Sequence, residues 1–133
     1  MAPAIVWFRN DLRLDDNPAL VAAARSGAPL VALYVLDDDT AGQWRMGGAS
    51  RWWLHHSLSS LAADLARLGV PLVLRRGRAE FVLEEVIAET AAGAAYWNRL
   101  YDPWAMRRDS EIKASLRGRG LMIESFNGAL LFE

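Results

Sequence analysis

One pattern constrains this chain more than any other: short, uninterrupted apolar runs alternate with longer stretches of helical period. The runs are Ala4 to Phe8, Leu30 to Leu36, Leu72 to Leu74 and Ala94 to Trp97, with a fifth strand at Leu121 to Ser125 whose apolar part is Leu121 to Ile123. Each is too short for a typical helix, and a run that stays apolar without alternation suits a strand buried on both faces. Strands of that kind occur in parallel sheets, where crossover helices cover both sides.

The intervening stretches carry helix punctuation. Asn17 caps the first, Pro18 takes its first helical position and Gly27 supplies the left-handed stop. The longest helix begins near Ser50 and runs to Leu68, where Leu54, Leu58, Leu61, Leu65 and Leu68 form one stripe before Gly69 and Pro71 end it. Two heptads are too few for a coiled coil, so the stripe reads as core packing. Arg78 to Ala92 is the third helix, with Phe81, Val82, Val86 and Ile87 inward. Asp102, its carboxylate serving as cap, and Pro103 open the fourth, which ends near Gly118 or Gly120. Five strands and four helices in alternation predict a doubly wound α/β fold: a five-stranded parallel sheet in the order 3-2-1-4-5 with helices on both faces. At 133 residues this is one domain, 1–133.

Composition removes several functions. With 53% hydrophobic and 23% charged residues the chain forms a core rather than a disordered tail. No apolar run reaches the roughly 18 residues of a membrane span and no signal-peptide pattern opens the chain, so a soluble, cytoplasmic protein is expected. The absence of cysteine excludes disulfides, thiolate metal sites and a thiol nucleophile. Fifteen Lys and Arg against sixteen Asp and Glu leave a net charge of -1, which argues against direct DNA binding by this stretch, as the lack of a long apolar run argues against a membrane partner. His55 and His56 are adjacent rather than four apart, so they do not share a metal. Neither a G-x-G-x-x-G turn, nor a P-loop, nor a G-x-S-x-G elbow occurs.

In open α/β sheets, ligands bind beyond the carboxyl ends of the strands, where strand order reverses. For the order above, that directs attention to the loops Arg9 to Asp16, Asp37 to Ser50 and Asn98 to Asp102. Arg9, Asp11 and Arg13 read as an ion-pair network fixing the first loop and a domain interface. Six tryptophans accompany these loops. Trp7 and Trp97 fall on core strands, and Trp44 and Trp104 near the same mouth. One of Trp52 and Trp53 is expected to face inward, the other to flank a ligand or a second domain.

The run Trp7-Phe8-Arg9-Asn10-Asp11-Leu12-Arg13-Leu14-Asp15-Asp16-Asn17-Pro18-Ala19-Leu20 resembles the opening strand and turn of the DNA photolyase and cryptochrome family. Gly48, Ser50, Arg51, Leu54 and Ser57-Leu58 resemble that family's second helix. Tyr96-Trp97-Asn98, with Tyr101, Asp102, Pro103, Arg108 and Asp109, resembles its fourth strand and following helix.

The resemblance covers essentially the whole chain and implies the Rossmann-like N-terminal antenna domain of a deoxyribodipyrimidine photolyase, with a cryptochrome or a stand-alone nucleotide-binding module as alternatives. It implies that the C-terminal helical domain, which binds FAD and splits the ultraviolet-induced pyrimidine dimer, is the missing partner, so that this stretch alone is inactive and holds no catalytic residue. It further implies a light-harvesting chromophore. The pattern is nearest to 8-hydroxy-5-deazaflavin binders, on which Val35, Leu36, Met46, Arg51, Tyr101 and Asp102 match the lining positions. Methenyltetrahydrofolate and FMN are the alternatives. Folate-type members carry an Asn-Glu pair where Trp104 and Ala105 stand here, which lowers that reading. The apolar end, Leu130 to Phe132, is expected to lead into further polypeptide and to promote self-association of this stretch.

Overall fold

The structure, a computed structural model, describes residues 1–9, 11–36 and 48–127, with backbone alone for 48–51. Its elements run β1 (Ala4–Phe8), α1 (Pro18–Arg25), β2 (Leu30–Leu36), α2 (Gly48–Arg67), β3 (Leu72–Arg76), α3 (Ala79–Thr90), β4 (Ala94–Asn98), α4 (Pro103–Gly118) and β5 (Met122–Phe126). The strands form one parallel sheet in the order β3-β2-β1-β4-β5, as the alternation predicts.

β1 is central, and all five of its residues are buried because each face meets a different helix layer. Ile5 and Trp7 point into the core built with α3 and α4, where Leu33, Leu83, Val86, Trp97, Ile112 and Ile123 gather. Ala4, Val6 and Phe8 point the other way, toward Leu20 and Ala23 of α1 and Leu61 and Leu65 of α2. The period of two along one strand therefore serves two cores.

Helix ends follow their local chemistry. Asn17 Oδ1 accepts from Leu20 N–H at 3.1 Å and Pro18 opens α1, while Gly27 turns the chain at φ 79° toward β2. Asp102 departs from expectation: it occupies the N-cap position of α4, but its side chain makes no capping hydrogen bond. Proline at the first helical position removes one of the donors a cap would satisfy and fixes the helical φ by itself.

Three other expectations are corrected. Leu68 is 62% exposed, since α2 ends at Arg67 and the turn through Gly69 carries Leu68 off the stripe. Phe81 is 57% exposed: in the first turn of α3 the inward positions belong to Ala79, Val82 and Leu83, and the Phe81 ring instead lies 5.7 Å from the Arg78 guanidinium. Neither Trp52 nor Trp53 faces inward, for both are more than half exposed.

Candidate functional site

Parallel strands bring all five carboxyl ends to one end of the sheet, and the order reverses between β1 and β4. That junction holds every buried polar or charged residue among those described: Arg9, Asn17, Asn98 and Asp109. Buried polar groups need partners, and here the partners are one another.

Asn98, the last residue of β4, is the hub. Its Oδ1 accepts from Ala19 N–H at 3.1 Å, and its Nδ2 donates to Asn17 Oδ1 at 2.8 Å and to the Asp11 carboxylate. Its carbonyl accepts from Arg9 Nη2 at 2.7 Å. Asp11 also accepts from Arg9 N–H at 2.9 Å, and Asn17 Nδ2 donates to the Arg13 carbonyl at 3.0 Å. The β1–α1 loop, the start of α1 and the end of β4 are thus one hydrogen-bonded unit.

Arg9 anchors that unit to α4. Its Nη1 lies 2.8 Å from Asp109 Oδ2, an ion pair whose angle falls short of an aligned hydrogen bond. Burial lowers the Arg9 pKa from its ordinary value, and Asp109 opposes that shift. The guanidinium carbon sits 4.3 Å from the Trp7 ring centroid, and Trp7 meets Trp97 edge to face at 5.3 Å. Arg108 closes the group, 3.2 Å from Asp109 Oδ1 and 4.9 Å from the Trp104 ring. The expected network of Arg9, Asp11 and Arg13 is present in altered form. The ionic partner of Arg9 is Asp109, and Arg13 donates to the carbonyls of Asp15 and Asp16 at 3.0 and 3.1 Å, bracing a turn in which Asp16 is left-handed.

Of the residues matched to a ligand-lining role, Val35 and Leu36 lie on β2 beside β1, and Tyr101 and Asp102 in the β4–α4 loop. Leu36 ends β2, half-buried, its carbonyl accepting from Gly77 N–H at 3.0 Å. Val35 precedes it and packs against the core that includes Trp7. Tyr101 is 41% exposed in the β4–α4 loop, with exposed Asp102 beside it. Arg51 belongs to the opening turns of α2, whereas Met46 and Trp44 lie outside the described residues. β2 and β4 flank β1, about 10 Å apart at the usual strand spacing. On α2, Trp52 and Trp53 meet at 5.4 Å and Trp52 and His56 at 4.0 Å, an exposed aromatic surface.

A hollow also lies beside the start of α1. A groove of about 830 Å³ runs between α1 and β5, walled by Val21, Tyr96, Met122 and Phe126. It is an open side of the sheet that α1 leaves uncovered, and its lining also takes in Asn17 of the junction and the charged Arg13, Asp16, Arg25 and Glu124.

Sequence reasoning passed over the roles of Asn98, Asn17 and Asp109 in holding the loops. The available signal was an amide at the carboxyl end of a fully apolar strand, where a buried polar group has to be paired.

A parallel sheet with its buried polar residues collected at the switch point defines a doubly wound α/β domain. The particular family follows from comparison: the chain belongs to the DNA photolyase family, whose model matches residues 4–133. It is similar to the deoxyribodipyrimidine photo-lyase of Agrobacterium fabrum, 49% identical over 132 residues, covering 99% of this chain and 27% of that protein. Cryptochrome-1 of Arabidopsis thaliana is 43% identical over 131 residues, covering 98% of this chain and 19% of the cryptochrome. Among solved structures, a bacterial class III photolyase from Agrobacterium tumefaciens superposes with a TM-score of 0.90 at 48% identity, over 99% of this chain and 27% of the photolyase. The chain therefore spans about a quarter of the length of the photolyases it matches.

Proposed function

We propose that this chain is the antenna domain of a cytoplasmic DNA photolyase: it holds a light-harvesting chromophore at the strand-end mouth and passes excitation to FAD in a second, helical domain. The observation that carries the reading is the rigid junction of Asn98, Asn17, Asp11 and Arg9, which fixes the loops around the mouth without using the exposed groups there. Those remaining groups suit a flat chromophore with polar edges. Leu36 offers an apolar wall, the Tyr101 ring a stacking surface, and the Asp102 carboxylate, free of a capping bond, an acceptor for a ring hydroxyl or N–H. Arg51 would donate to ring carbonyls or a phosphate, and Met46 would supply a polarizable wall.

The chromophore favoured is 8-hydroxy-5-deazaflavin. When bound it supplies strong absorption and long-range energy transfer, while the protein's part is to orient it and exclude water. Catalysis, in this reading, belongs to the flavin domain, the main partner of this surface. The likeness to Cryptochrome-1 supports a second reading, a light-signalling protein built on the same domain. Blue-light illumination of the protein that carries this chain, with an oligonucleotide containing a cyclobutane pyrimidine dimer, separates the two. Light-dependent restoration of the pyrimidines supports repair. No restoration with a fully flavin-loaded protein would favour signalling.

A further inference from the structure

Arg99, just past β4, and Lys113 and Arg117 of α4 all reach β5. Lys113 and Arg117, four apart, share one face of α4. All three donate to neutral oxygens: Lys113 Nζ to Ser125 Oγ at 2.7 Å, Arg117 Nη2 to the Ile123 carbonyl at 2.7 Å and Arg99 Nη1 to the Ser125 carbonyl at 3.4 Å. Among the described residues no carboxylate comes within ion-pair distance of any of them; nearby Asp109 is already committed to Arg9 and Arg108. Asp109 and Glu124 act on Lys113 only from beyond ion-pair distance, so the three neighbouring cations keep donors for a further acceptor.

Two of them, Arg99 and Lys113, open onto a recess of about 160 Å³. Trp97, Tyr101 and Met106 form its apolar walls, Ser110 and Ser125 add hydroxyls, and Asp109, its carboxylate held by Arg9 and Arg108, also lines it. At about 30 Å³ per water this holds roughly five waters, the size of a phosphate or a short carboxylic acid.

We propose that this recess is an anion-binding pocket for the phosphate or carboxylate group of a small molecule, with Arg99 and Lys113 as charged donors and Ser110 and Ser125 as neutral ones. The apolar walls would take the carbon atoms next to the anion. The inference shares Tyr101 with the chromophore reading but uses neither Arg51 nor Asp102, so loss of anion binding in Arg99→Gln or Lys113→Gln with chromophore binding intact separates the two. Lys113 has its pKa lowered by partial burial and by Arg117 and Arg99, with Asp109 and Glu124 opposing, so a bound anion relieves an existing repulsion.

The test is a backbone amide NMR titration of the full chain with inorganic phosphate and, separately, glutarate, against sodium chloride at matched ionic strength. The expected result is saturable shifts confined to Arg99, Ser110, Lys113 and Ser125, with a rise in the Lys113 pKa. Saturation by phosphate identifies a phosphate site, and saturation by glutarate a carboxylate site. Lys113→Gln should weaken binding roughly ten-fold or more. Arg99→Gln, an exposed change, should do the same without risk to the fold, and Arg25→Gln should leave binding unchanged. Linear shifts, shifts reproduced by chloride, or unaltered affinity in both pocket variants would overturn the proposal.

Discussion

Asn98 shows how much of the junction one side chain can carry. It ties β4 to the β1–α1 loop through Asp11 and to α1 through Asn17 and Ala19, in a site 4% exposed where water cannot substitute. Asn98→Ala should cost about 3 kcal/mol in urea unfolding, because it leaves buried polar groups unpaired. Arg9 and Asp109 are coupled in the same sense. Removing either alone strands a buried charge, so a double-mutant cycle with Arg9→Met and Asp109→Leu should return a coupling of roughly 1 to 3 kcal/mol, with the double variant less destabilised than the sum. Lys113 behaves oppositely. Its folded pKa lies below 10.5, so the unfolded chain holds the proton more tightly between the two values. Stability should therefore rise as pH climbs from the lowered pKa toward 10.5, and Lys113→Gln should flatten that rise in pH-dependent denaturation. None of these partnerships was legible in the sequence. The strand ends were visible, but which loop residue meets which depends on contacts across 79 to 100 positions, for which a single sequence holds no local signal.

At the scale of elements, local signals went further. Asn17, Pro18 and Gly27 mark the ends of α1 where the structure has them, since capping and left-handed turns depend only on neighbouring residues. The apolar runs located all five strands, although β3 extends to Arg76, whose polar residues hide the strand at the sheet edge. Arg75 uses that edge position to form a double hydrogen bond with Glu89 of α3 at 2.6 and 2.8 Å. Spacing alone misread Leu68 and Phe81, because periodicity gives a face but not where the helix stops or which side chain in its first turn meets the core. The pair Leu65 and Leu68 makes this measurable. Leu65→Ala, at a fully buried position, should cost about 2 to 5 kcal/mol, and Leu68→Ala no more than about 0.5 kcal/mol, read from thermal or denaturant unfolding.

For the whole molecule, the sheet order places the polar junction, the Tyr101 loop and the start of α2 at the same end of the domain. The opposite ends of the strands carry no comparable group of buried polar residues among those described. The photolyase this chain resembles at 49% identity is nearly four times as long, and Trp52 and Trp53 present an exposed aromatic surface beside the mouth. The most direct test of the account is titration of the purified chain with 8-hydroxy-5-deazaflavin, methenyltetrahydrofolate and FMN, followed by quenching of tryptophan and chromophore fluorescence. The account predicts saturable one-to-one binding, tightest for the deazaflavin, weakened at least roughly ten-fold by Arg51→Ala or Tyr101→Ala and unchanged by Arg25→Ala. Absence of saturable binding by all three, from a chain shown to be folded, would contradict it.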